Sequence, residues 1–171
     1  MTRLLVLAAL LLLPSIALAG DHTKPDPKAD QEISDAHRGA LDEDDRSLVV
    51  RLKSPDGPFP FATSPDAALN MAKLTNQAVV VWAVADWCGA CHAMVDKSAF
   101  DPSLKPYGIQ MIHAALDLSN VESKEAQQWV RQYKLNSTPT LLVFDKKGNL
   151  HKKLIGYQSA SQLRAAFDEV R

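Results

Sequence analysis

The chain has 171 residues, a formal net charge of −1, 46% hydrophobic residues and two cysteines. A nearly neutral chain gives no case for nucleic acid, which would want a basic face, and two cysteines are too few for a disulfide scaffold. The length suits one globular domain with a core of its own.

The N-terminus reads as a leader. Arg3 supplies a positive start, Leu4 to Leu13 is an unbroken apolar run, and Ala17-Leu18-Ala19 has the small-x-small pattern of a cleavage site. That run is short of the ~20 apolar residues a membrane span needs. Residues 1–19 are therefore expected to be a signal peptide, cut near Ala19-Gly20, with the mature chain exported to the periplasm, an oxidising compartment. Residues 20–47 are polar, with Pro25, Pro27 and the acidic run Asp42 to Asp45, and read as a solvated, flexible segment.

The folded domain is expected over 48–171. Leu48 to Leu52 reads as a short apolar strand, and Pro55 to Pro60 breaks structure with three prolines and a glycine. Ser64-Pro65 is an N-cap followed by proline at the first helical position, and Ala68, Met71, Ala72 and Thr75 continue at helical spacing. Ala78 to Val84 is apolar and rich in β-branched residues, as in a strand buried on both faces. A helix over Ala90 to Ala99, a strand over Ile109 to Leu118 and a helix faced by Ala126, Trp129, Val130 and Tyr133 follow. Thr140 to Phe144 and Leu150 to Tyr157 flank the turn Lys146-Lys147-Gly148-Asn149. Ser159 and Gln162 form a capping box for a last helix carrying Leu163, Ala166, Phe167 and Val170. The order β-α-β-α-β-α-β-β-α predicts an α/β domain, a mixed sheet between layers of helices.

Both cysteines lie in Trp87-Cys88-Gly89-Ala90-Cys91-His92, between the buried strand and the next helix. The run admits two chemistries: a redox-active dithiol, or C-x-x-C-H attachment of haem. At the helix mouth, unpaired backbone N–H groups and the helix dipole favour an anion. Cys88 should therefore have a lowered pKa and attack, with Cys91, one turn inside, resolving the mixed disulfide. A purely structural bridge across so short a loop would stabilise little. Some fifty residues on, Ser137-Thr138-Pro139-Thr140 places a proline before a buried strand. A cis bond there would turn the chain sharply and leave the Thr138 backbone open to an extended partner; a trans proline starting the strand is the ordinary alternative.

Taken together, Ala85-Asp86-Trp87-Cys88-Gly89-Ala90-Cys91, Tyr133 to Thr140 and Gly156-Tyr157 resemble the thioredoxin superfamily over about Ala62 to Arg171. Ala85 to Cys91 with Phe100-Asp101-Pro102 is most similar to the C-terminal periplasmic domain of DsbD-type thiol:disulfide interchange proteins. The resemblance implies the thioredoxin fold, with Cys88 as nucleophile and Cys91 as resolving thiol. It also implies a cis Pro139, Thr138 pairing with a partner's backbone, and Trp87 and Gly156 bordering the docking groove. Two acids that commonly serve such a dithiol are missing: Trp82 stands six residues before Cys88, and Val95 seven after it. His92 and His113 are the candidates to take the proton of Cys91 in their place.

Haem attachment would use His92, with Met94 or Met111 as second ligand, and needs a large apolar pocket. The strand-Trp-C-x-x-C-helix context with Thr138-Pro139-Thr140 favours the dithiol instead. Zinc would need three or four clustered ligands, whereas His22, His37, His113 and His151 are scattered, so no metal is expected. The expected function is exchange of disulfides with protein clients, chiefly as a reductase supplied by a membrane or periplasmic electron donor. No cofactor beyond the Cys88–Cys91 pair is expected, and the chain is expected to act as a monomer. A c-type haem protein and a non-catalytic binding module on the same fold are the alternatives.

Overall fold

A computed structural model describes residues 47–171; the expected signal peptide and all of the polar segment but Ser47 lie outside the described residues. The chain runs α1 (Leu48–Lys53), β1 (Phe61–Ala62), α2 (Pro65–Thr75), β2 (Ala78–Val84) and α3 (Gly89–Met94). A π-helical turn (Val95–Ala99) continues α3, and a 3-10 turn (Pro102–Leu104) and α4 (Tyr107–Gln110) follow. The second half is β3 (Met111–Asp117), α5 (Lys124–Tyr133), β4 (Thr140–Phe144), β5 (Leu150–Ile155) and α6 (Ala160–Asp168). The five strands form one mixed sheet in the order β1-β3-β2-β4-β5. β1 and β2 run parallel to β3, and β4 runs antiparallel to both β2 and β5.

The central strands earn their place by composition. Every residue of β2 is buried, as is every residue of β4. Side chains alternate between faces along each strand, which divides the core in two. On one face Trp82 and His113 meet Phe59, Phe61 and Phe167. On the other, Trp129 and Tyr133 of α5 pack against Phe144. Helix ends follow the expected chemistry: Ser64 caps α2 with Pro65 at its first turn, and Ser159 and Gln162 form the capping box of α6.

Four elements depart from the sequence reading. Leu48 to Leu52 is the helix α1 rather than a strand. Leu48 and Leu52, four apart, are both fully buried while Val50 is exposed, so the segment obeys helical rather than alternating spacing. The first strand is instead Phe61–Ala62, immediately after the proline-rich turn. The strand expected from Ile109 begins at Met111, because Tyr107–Gln110 is a helical turn that leaves Ile109 exposed. The strand expected to reach Tyr157 stops at Ile155, where Gly156 turns the chain with φ of +79°.

The turn after α1 depends on a glycine. A Cβ placed on Gly57 would lie 2.2 Å from the carbonyl oxygen of Leu52 and 2.9 Å from that of Ser54. Both obstacles are backbone, so relief requires moving the α1 terminus. Gly57→Ala is expected to cost about 1–3 kcal/mol, the range for overpacked sites, read as a lower denaturant midpoint with an unchanged slope.

Candidate active site

β2 delivers the chain into a tight turn, in which the Cys88 N–H bonds the Ala85 carbonyl at 3.1 Å. Cys88 is the N-cap of α3, and its Sγ accepts the N–H of Cys91 at 3.1 Å. The two sulfurs are joined as a disulfide, with the α-carbons 5.2 Å apart. The pair is asymmetric: Cys88 keeps 6% of its surface exposed and Cys91 none. A sulfur that caps a helix and receives an N–H is placed where negative charge is favoured. The buried partner is reached only through the first. Trp87, beside them, is 67% exposed, so it is a surface residue and not part of the core.

The second part of the site comes from β4. Ala83 pairs with Thr140 across the β2–β4 ladder, so the residues preceding Thr140 lie at the end of β2 from which Cys88 follows. The Thr138–Pro139 bond is cis. The Thr140 hydroxyl donates to the Ser137 carbonyl at 2.7 Å, which fixes the turn, and the Gly156 N–H donates to the Pro139 carbonyl at 2.8 Å. Trp87 and Thr138 meet in one groove of about 330 Å³, whose apolar wall includes Leu118, Val121, Val130 and Leu135. The structure thus joins Cys88 to Cys91, Trp87 to Thr138 and Gly156 to Pro139.

The histidines occupy different roles. His92 is 8% exposed, and its Nε2 lies 2.8 Å from the carbonyl oxygen of Asp86. A carbonyl only accepts, so Nε2 carries the proton. His113 is fully buried in β3. Its Nδ1 accepts the indole N–H of Trp82 at 3.2 Å, its Nε2–H donates to the Tyr107 carbonyl at 3.2 Å, and Phe59 stacks on the ring at 4.0 Å. Burial holds its pKa down at about 4 against the raising effect of the Tyr107 carbonyl, so the ring is neutral. Trp82, where an acid is common, is itself fully buried and spends its single donor on that ring.

One residue was given no role by the sequence reading. Asp86 accepts the backbone N–H of Leu48 on Oδ1 at 2.7 Å, and its own N–H donates to Ser119 Oγ at 2.9 Å. Its place two residues before Cys88 was the only available signal, and its partners at 48 and 119 are far away in sequence. Among the described residues, no group of three or more His, Cys, Asp or Glu is arranged to hold a metal ion. Nor, among them, is any helix long and apolar enough to cross a membrane.

Comparison with known proteins agrees with this geometry. A thioredoxin from Alicyclobacillus acidocaldarius subsp. acidocaldarius is 32% identical over 109 residues, covering 63% of this chain and 95% of that protein. The solution structure of a thioredoxin from Thermus thermophilus superposes with a TM-score of 0.55 at 20% identity, over 62% of this chain and 82% of that one. The oxidised C-terminal domain of DsbD from Neisseria meningitidis superposes with a TM-score of 0.53 at 23% identity, over 63% of this chain and 97% of that one. The two superpositions establish the fold: a thioredoxin fold whose mixed five-stranded sheet is flanked by helices. Since residues 65–171 match the thioredoxin-like domain family, the chain belongs to that family, with α1 and β1 added ahead of the matched region.

Proposed function

We propose that this protein is an exported thiol:disulfide oxidoreductase that reduces disulfides of protein clients through Cys88 and Cys91. The observation that carries the reading is the asymmetry of the pair: a slightly exposed helix-capping sulfur joined to a fully buried one. In the reduced protein the Cys88 thiolate attacks one sulfur of a client disulfide, forming a mixed disulfide and releasing the other client sulfur as a thiolate. The Cys91 thiolate then attacks Cys88, closing the bond seen here and freeing the second client sulfur. Two electrons pass to the client. The proton of Cys91 goes to water or to His92, because no carboxylate stands at 82 or 95.

Trp87, Thr138, the cis Pro139 and Gly156 form the surface on which a client segment lies, with the groove taking its apolar side chains. Reduction rather than oxidation rests on the resemblance of Ala85 to Cys91 to DsbD-type domains, and export to the periplasm on the leader-like residues 1–19. A membrane or periplasmic donor then restores the dithiol. His92 supports this reading over haem attachment, since its Nε2–H is directed at the Asp86 carbonyl within the same turn. The test is the equilibrium constant against glutathione, alongside an absorption spectrum of the protein as isolated. A potential near that of thioredoxin, about −270 mV, is expected; one near the strongly oxidising end, about −120 mV, overturns the reductase reading. A Soret band overturns the dithiol reading altogether.

A further inference from the structure

All three polar parts of Asp86 are engaged, and each points to a different element. Its N–H holds Ser119 after β3, its carbonyl receives His92 of α3, and its carboxylate receives the N–H of Leu48 at the start of α1. On the far side of the cysteines, Arg51 of the same short helix pairs with Asp96 of the π-helical turn at 2.6 Å. α1 thus touches the redox segment both before Cys88 and after Cys91. Its buried Leu48 and Leu52 hold it to the domain.

We infer that Asp86 is a positioning residue that also sets the redox equilibrium: it fastens α1 to the Cys88 turn and holds a negative charge beside the nucleophilic sulfur. This rests on the thiol-exchange reading above. The α-carbons of Asp86 and Cys88, two residues apart, lie within about 7.6 Å of each other. The two side chains leave one turn, and their charges interact over a range on the order of the Debye length, about 10 Å at moderate salt. The carboxylate therefore disfavours the Cys88 thiolate. Disfavouring the thiolate weakens the reduced form relative to the disulfide and makes the pair a stronger reductant. Bonding to Leu48 N–H fixes the carboxylate in that place, because the acceptor oxygen is committed to α1.

The measured equilibrium is disulfide plus two glutathione thiols giving the dithiol plus glutathione disulfide, in which both sides carry the same atoms and electrons. Asp86→Asn keeps the oxygen that accepts from Leu48 and removes the charge. At low salt its constant toward the dithiol is expected to exceed that of the wild type about threefold, the Coulomb effect of one charge about 8 Å away in a water-like medium. That is about 15 mV, given about 30 mV per tenfold. In 1 M KCl, where the Debye length is about 3 Å, the difference should close. Asp86→Ala should additionally speed amide exchange in α1. Equal constants for Asp86→Asn and the wild type, or a difference that salt does not close, overturn the inference while leaving thiol exchange standing. The wild type alone gives a second check: its constant toward the dithiol should rise with KCl, and a flat response overturns the inference without any variant. Failure of the wild-type pair to equilibrate with glutathione removes the functional reading and this inference with it.

Discussion

Cys88→Ser is expected to abolish turnover of protein disulfides, with any residual rate at least about a thousandfold below the wild type, while Cys91→Ala arrests as a mixed disulfide. The asymmetry of the pair dictates the difference. Of the pair, Cys88 alone has surface to present, and it accepts the Cys91 N–H that steadies its anion. A serine hydroxyl in its place stays protonated at neutral pH and forms no disulfide. Loss of Cys91 leaves the first attack intact but removes the sulfur that would release the client. Nonreducing electrophoresis of Cys91→Ala with a disulfide-bearing client should therefore show a thiol-sensitive adduct through Cys88. Client binding retained in full by Cys88→Ser, with no disulfide turnover in the wild type, would mean that the fold acts as a binding module and that the dithiol is incidental. The resolution step carries a further signature, since Trp82 and Val95 stand where acids commonly assist Cys91. Release of the mixed disulfide should be slower, or shifted in its pH profile, relative to acid-bearing relatives.

The second large effect is on stability in acid. His113 has a folded-state pKa of about 4 against an ordinary value of 6.5, caused by complete burial. The unfolded chain therefore binds this proton more readily than the folded one, and stability must fall as pH drops from about 6.5 toward 4. Above that window the contribution is fully present, and below it the loss is complete. At about 1.4 kcal/mol per pKa unit, the loss amounts to roughly 3 kcal/mol, a large share of the 5–15 kcal/mol typical of a domain. The structure shows why the proton is unwelcome. It would sit on Nδ1, the acceptor of the Trp82 indole N–H, leaving two donors face to face beside the stacked Phe59. Chemical denaturation across pH 4 to 7 measures this directly. In His113→Gln the amide can still accept from Trp82, so overall stability falls but the difference from wild type should shrink steadily below pH 6.5. A constant difference across the window would count against titration of His113.

The sequence made the strands of the sheet's middle and the dithiol plain, because each has a local signature. Ala78 to Val84 is a continuous β-branched run, and Cys88 and Cys91 sit directly after it. The cis geometry at Pro139 was accessible only through resemblance, since proline before a strand is more often trans. Leu48 to Leu52 misled because five apolar-rich residues fit either period, and what selects the helix lies elsewhere: the Asp86 carboxylate at its first N–H. Phe61–Ala62 could not be read as a strand, since two residues carry no period and the pairing that defines them is with His113 and Ala114. The Trp82–His113 bond joins residues 31 apart and follows from the parallel register of β2 and β3, which no local pattern encodes.

The brevity of β1 has a consequence for the protein in a crowd. A sheet ends in two open margins, and a long, flat apolar margin invites strands from other molecules. Here one margin is two residues long, with Pro60 immediately before it and Pro65 shortly after, so an incoming strand finds few backbone groups to match. The opposite margin, β5, carries Lys152 and Lys153, with Lys152 paired to Glu169, so an incoming strand meets charged side chains there. Self-templated aggregation is blocked at each side by a different means: proline on one, charge on the other.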